Sequence, residues 1–230
     1  MEKKKWEAGV RLFNLLTRYR TLYGERVLGL KKHGALHLHG STVRYVYPYY
    51  RVKELDKIDQ KEAARIRMFW KFMDGECRFY PAFYELTLRA VRQLLWVTKV
   101  TGPFELVTVP GSDPEKDSPM EGICREISQK ERFILASAID GTELIKRTKK
   151  MIPVHKGGRY SIPQITGSLA ITRPVKAANI VLVDDMVYSG KTILACISIL
   201  KEHGAKRVYP ICLFGYKRED NTQGKEQPDR

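Results

Sequence analysis

Along the chain the spacing of apolar and polar positions changes several times, and each change predicts a different element. Over residues 5–23, "KWEAGVRLFNLLTRYRTLY", apolar side chains fall at Trp6, Val10, Leu12, Phe13, Leu16 and Tyr19. That approximates the i, i+3, i+4, i+7 spacing of an amphipathic helix with a basic outer face. The next stretch, "HGALHLHGSTVRYVYPYYRV", alternates and is rich in aromatic and β-branched residues, which predicts a hairpin or short strands. "DQKEAARIRMFWKFMDG" opens on an N-cap residue, Asp59, and stops at Gly75, the signature of a second helix. A third helix is expected over "PAFYELTLRAVRQLLWVTKV", where Pro81 occupies the first turn that tolerates it.

Beyond residue 100 the pattern alternates between strand and helix. "FELVTVP" is a short β-branched run ending in a turn, "PMEGICREISQKE" reads as a helix and "RFILASAI" as a strand. "NIVLVDD" has the continuous apolar character of a buried strand. It is followed by a helix, "GKTILACISILKEHG", closed by Gly204, and by a strand, "AKRVYPICLF". Strands alternating with helices imply right-handed crossovers and a mostly parallel, twisted sheet flanked by helices. The expected organisation is an N-terminal helix and hairpin extension over residues 1–60 and an α/β domain over 61–215. Residues 216–230, with almost no apolar content, complete it as a flexible tail.

Composition narrows the setting. The chain has 230 residues, enough for one good-sized domain with an extension. No apolar run approaches the ~18–20 residues that span a bilayer, and "MEKKKWEAGV" lacks a signal-peptide core, so a soluble, cytoplasmic protein is expected. The four cysteines, Cys77, Cys124, Cys196 and Cys212, lie far apart with no Cys-x-x-Cys pair. That spacing argues against a disulfide framework or a cysteine zinc site. The formal charge of +15 points either to nucleic acid or to a small polyphosphate, and it exceeds what a polyphosphate pocket needs.

The chemistry concentrates in "NIVLVDDMVYSGKT". Ligands of open parallel sheets bind beyond the carboxyl ends of the strands, which is where Asp184 and Asp185 are expected. The residues that follow lead into a helix starting near Lys191. A helix N-terminus offers unpaired N–H groups and partial positive charge to a phosphate. Gly190 permits close backbone approach, and Ser189 and Thr192 add hydroxyls. One loop thus presents carboxylates for sugar hydroxyls or Mg²⁺ together with a phosphate cradle, a pairing that suits a ribose 5-phosphate. A P-loop is excluded, because the glycine it requires five positions before Gly190 is Asp185 here.

"VLVDDMVYSGKT" closely resembles the phosphoribosyl-pyrophosphate (PRPP) signature of type I phosphoribosyltransferases. Residues 67–213 are similar to the ComF-like branch of that superfamily, on the strength of "FWKFMDGE" before the first strand and "LIKRTKK" after a later one. The resemblance implies that Asp184 and Asp185 bind the ribose hydroxyls with Mg²⁺ nearby. It implies that Val187, Tyr188, Ser189, Gly190, Lys191 and Thr192 hold the 5′-phosphate. Val109, Pro110, Gly111 and Ser112 match the family's pyrophosphate loop, although Pro-Gly on its own is an ordinary turn. Lys146, Arg147, Lys149 and Lys150 fall where the family has a mobile loop closing over pyrophosphate. Arg147, whose fork suits phosphate oxygens, is the catalytic candidate there. "HKGGRYS", with His155 and Arg159, belongs to the same region without an assigned role.

Three features depart from the family. Tyr188 stands where 6-oxopurine transferases carry an acidic residue handling the N7 proton, and a phenol of reference pKa ~10 is no such base. The same tyrosine-led loop resembles the pyrimidine-operon attenuators, which bind nucleotides and RNA. In place of the branch's zinc ribbon the chain has His33, His37 and His39, either metal ligands or surface histidines. "RYVYPYYR" either stacks bases between Arg44 and Arg51 or covers the edge of the core. Two functions follow as expectations. One is transfer of a phosphoribosyl group from PRPP, with Mg²⁺, to an acceptor chosen by a hood built from the first 60 residues. The other is a PRPP-sensing or DNA-uptake protein acting on nucleic acid, with a homodimer among the assemblies either would allow.

Overall fold

Phe104–Thr108 is buried at all five positions, the pattern of a strand covered on both faces. This strand, β3, belongs to a sheet formed with β1 (Ala35–Leu38), β2 (Ser41–Tyr49), β4 (Ala138–Asp140), β7 (Asn179–Val187) and β8 (Arg207–Tyr216). The structure is a computed structural model describing residues 35–38, 41–50, 52–131, 138–153 and 157–216. The sheet order is β1-β2-β8-β7-β3-β4. β1 and β2 are antiparallel, and the four other pairings are parallel. A second, two-stranded sheet pairs β5 (Ile145–Arg147) with β6 (Leu169–Ile171). The fold is therefore α/β, a mostly parallel sheet flanked by helices.

The alternation of β7 divides the core in two. Val181 and Val183 face a layer made by α1 (Gln60–Met73), α2 (Tyr80–Thr98) and α3 (Pro119–Lys130). Ile180 and Leu182 face α4 (Ile162–Thr166), α5 (Lys191–Glu202) and the small sheet. Each fully buried Ile, Leu or Phe in these layers contributes about 1.5–3 kcal/mol. On the α1 side rings pack on rings, with Phe72 stacked on Phe83 at 4.4 Å and Phe69 against Phe214 at 4.5 Å.

Helix boundaries follow their caps. Asp59 accepts from the Lys61 N–H at 2.8 Å to start α1, and Gly75, at φ +91°, ends it. Ser161 and Gln164 form a reciprocal capping box at α4.

Two placements differ from the sequence expectation. The 41–49 segment is not only half of a hairpin: β2 hydrogen-bonds in parallel to β8 and so extends the main sheet. The basic stretch at 145–147, expected in a mobile loop, is a strand, because Ile145 and Arg147 turn inward against β6. The helix expected at 5–23, His33, His39, residues 132–137, His155 and the tail from 217 lie outside the described residues. Of His37 only its backbone, in β1, is described. No helix among the described residues is long and apolar enough to cross a membrane.

Candidate functional site

The site begins where β7 outlasts one neighbour. Its pairing with β3 ends at Thr108↔Val183, while its pairing with β8 continues to Val187↔Gly215. Asp184 and Asp185 therefore emerge past the carboxyl end of β3 yet remain in a strand held from the other side. The expected strand end at Asp185 moves to Val187 for that reason. Met186 packs with the α1-side core and Val187 with the α5-side core, so the alternation slips by one residue around Asp185. Asp184 keeps the α5 face and accepts the N–H of Asp185 at 2.9 Å.

Burial, followed by the charge of Asp185, holds the Asp184 carboxyl well above the usual carboxylate range. Burial raises Asp185 as well. Burial makes ionisation of these two carboxyls costly, and a divalent cation or sugar hydroxyls would offset that cost. Among the described residues no group of three or more His, Cys, Asp or Glu side chains could hold a metal alone. The donor chemistry fits Mg²⁺, which commonly binds through one or two carboxylates, waters and substrate phosphates.

From Val187 the chain turns through Tyr188, Ser189 and Gly190 into α5. Gly190 is left-handed at φ +75°, a conformation that suits glycine. α5 starts without a side-chain cap, so its first N–H groups remain available to an anion. Tyr188 stacks on Tyr216 at 4.4 Å, which holds its ring in place at the cleft. Val187 is 2% exposed, so it can serve the phosphate loop only through its backbone.

Facing this loop is the 109–112 turn after β3, anchored by the Val109 N–H to Val183 carbonyl bond at 2.9 Å. Arg147 reaches it from β5, only 8% exposed. Its Nε donates to the Gly111 carbonyl at 2.6 Å and Nη1 to Ser168 Oγ at 2.7 Å. Burial lowers its pKa from the ordinary value, opposed by the charge of Asp184. The 109–112 turn is tied again by the Met151 N–H to Ser112 carbonyl bond and by the Lys150–Asp113 ion pair, both 2.8 Å. Lys146 points outward beside Glu143 at 3.9 Å, and Lys149 is exposed.

These segments enclose a cleft of about 820 Å³ that contains Asp184, Asp185, Tyr188, Ser189, Lys191, Thr192 and the whole 109–112 turn. Arg147 lines it, but Lys146 and Lys149 do not. Sequence reasoning passed over Lys116 and left Arg159 without a role, and folding brings both cations to the cleft wall. It also passed over the end of α1, where Trp70, Met73 and Asp74 form the remaining wall. The "FWKFMDG" string carried that signal, since an aromatic and an acid four apart share one helix face.

Residues 145–230 match the family model described as phosphoribosyl transferase domain, a span containing Asp184 to Thr192 but not the 109–112 turn. Ten chains of solved structures match. One is a purine phosphoribosyltransferase from Pyrococcus horikoshii Ot3, with 16% identity over 61% of this chain and 90% of that one and a TM-score of 0.33. No curated protein matches the chain.

Proposed function

We propose, on the premise that residues 145–230 belong to the phosphoribosyl transferase domain family, that the cleft binds PRPP with Mg²⁺ and passes its phosphoribosyl group to an acceptor. The observation that carries this is the convergence of Asp184, Asp185, the start of α5 and the 109–112 turn on one cleft. The carboxylates would take the ribose diol. Ser189, Thr192 and the backbone from Val187 to Lys191 would take the 5′-phosphate. Backbone groups of the 109–112 turn, with Lys116 and Arg159, would face the pyrophosphate.

In the transfer, the bond from C1′ to the pyrophosphate oxygen breaks and its electron pair leaves with pyrophosphate. A bond from the acceptor then forms at C1′. Positive charge at the sugar lies near Asp184 and Asp185, and negative charge on the leaving group lies near the two cations. Asp184 and Asp185 would hold Mg²⁺, whose charge would further neutralise the pyrophosphate. Arg147, with donors on Gly111, Ser168 and Pro110, would act by positioning the pyrophosphate turn.

Calorimetry of PRPP with and without Mg²⁺ tests the reading. Saturable, Mg²⁺-assisted binding lost in Asp185→Asn supports it, and no heat from the wild-type chain overturns it. Pyrophosphate release across a panel of bases then separates a transferase from a protein that binds PRPP without turnover.

A further inference from the structure

The cleft has a third wall, formed by the C-terminal turn of α1, to which the PRPP reading assigns no part of PRPP. Trp70 and Asp74 are four residues apart on one face, with Met73 beside them, and all three line the cleft. Resting on the PRPP reading above, we propose that this turn selects the acceptor. It would favour a neutral or cationic planar ring with an N–H donor edge and exclude rings that carry a carboxylate.

Three observations support this. First, Trp70 is held in a fixed place among other rings, 6.0 Å from Tyr49 at 75° and 5.5 Å from Phe69 at 51°. A half-buried indole immobilised in that way is a stacking surface that gives up little entropy on binding. Second, Asp74 is exposed, while its neighbouring cations in the sequence are paired elsewhere. Lys71 and Arg78 both reach Glu76, at 3.8 and 2.6 Å. Third, the helix end is rigidly closed: the Gly75 N–H donates to the Phe72 carbonyl at 3.0 Å and the Glu76 N–H to the Lys71 carbonyl at 2.9 Å. This is a Schellman-type cap, made accessible by Gly75 at φ +91°.

The electrostatics point the same way. A helix C-terminus carries partial negative charge, and Asp74 adds a full one. The same cleft is lined by the start of α5, Lys116 and Arg159. Anions would be drawn to those cations and to the start of α5, and repelled from the end of α1. A ring on Trp70 can offer an exocyclic amine to Asp74, whereas a ring acid would bring carboxylate against carboxylate.

The test uses the full chain with Trp6→Phe and Trp96→Phe, which leaves Trp70 as the single indole. With PRPP and Mg²⁺ present, adenine and cytosine are titrated as amino-bearing probes, and orotate and nicotinate as ring acids, following Trp70 emission. Adenine or cytosine should change the emission saturably, and the ring acids should not. In the same background Asp74→Asn should weaken the amino-bearing probes about tenfold or more and narrow the gap to the ring acids. In the original chain, read by calorimetry, Trp70→Ala should weaken adenine roughly ten- to a hundredfold and Trp70→Phe far less. PRPP affinity should be unmoved in all three. Equal response to amines and acids, or an Asp74→Asn chain that behaves as its parent while still binding PRPP, overturns the proposal and leaves the PRPP reading standing. A chain that binds no PRPP overturns both.

Discussion

The Nε of Arg147 donates to the carbonyl oxygen of Gly111 at 2.6 Å, so a strand of the small sheet sets the shape of a turn at the end of the main one. With Nη1 on Ser168 and Nη2 3.4 Å from the Pro110 carbonyl, the guanidinium joins segments from three parts of the chain. The 109–112 turn has no regular structure of its own, and its geometry is that of its anchors.

Replacing Arg147 with lysine should therefore not be conservative. An ammonium cannot reach Gly111, Pro110 and Ser168 together, and carbonyls lacking their donors in a buried site cost about 1–3 kcal/mol. We expect Arg147→Lys to lower the thermal midpoint by several degrees and to weaken PRPP about tenfold or more in calorimetry. If the residue touched only the transition state, the midpoint and the affinity would be unchanged and turnover alone would fall.

A second prediction concerns the sheet edge. A Cβ built on Gly215 would lie 2.2–2.6 Å from the ring of Tyr45, near the base of that side chain rather than a flexible end. β2 pairs with β8 through this level, at Pro48↔Gly215. Gly215→Ala must push Tyr45 and its strand aside, at a cost of about 1–3 kcal/mol. Urea unfolding of the variant reads that cost. Hydrogen exchange should place the loosening in residues 41–49, and a uniform loss of protection would count against β2 as an integral strand.

How much of this was legible in the sequence depends on whether a signal was local. α1 was readable because Asp59 and Gly75 punctuate it, and β7 because four apolar residues run into two acids. β5 and β6 were not, since three-residue strands are too short to establish a period. The cations at 146, 147, 149 and 150 look equivalent in the sequence. Arg147 is set apart only by Gly111 and Ser168, 36 and 21 residues away. Lys116 and Arg159 reach the cleft by the same kind of tertiary accident of chain path. The α1 wall was present in "FWKFMDG", but the resemblance points to a hood before residue 60, and nothing local says which helix a cleft will recruit.

Tyr80 donates to Glu126 and Tyr84 to Glu131, each at 2.8 Å, clipping α2 to α3. Burial first, and then these carboxylates, raise both phenols above their ordinary value. The folded chain thus holds these protons more tightly than the unfolded one. Their contribution is intact below the unfolded value of ~10 and is lost as pH climbs past it. The wild type should lose urea midpoint steadily between pH 10 and 11.5. The double variant Tyr80→Phe, Tyr84→Phe should start about 1–3 kcal/mol less stable at pH 8 and lose less over that interval. Parallel curves would mean that other groups govern alkaline unfolding.

Asp184 separates stability from binding most sharply. Its carboxyl is disfavoured as a charge, by burial and by Asp185, so the charge it would offer a ligand works against the stability of the fold. Asp184→Asn keeps the size of the side chain and removes the charge. Without ligand at neutral pH it should gain about 1 kcal/mol, or ~2–4 °C in midpoint for a chain of this length. Saturating PRPP with Mg²⁺, at a hundred times Kd, should then add about 2.7 kcal/mol to the wild type and almost nothing to the variant. The order of the two midpoints would reverse on adding ligand. A turn residue with no ligand to hold would give no such crossing, and differential scanning fluorimetry on both chains, with and without PRPP and Mg²⁺, is enough to see it.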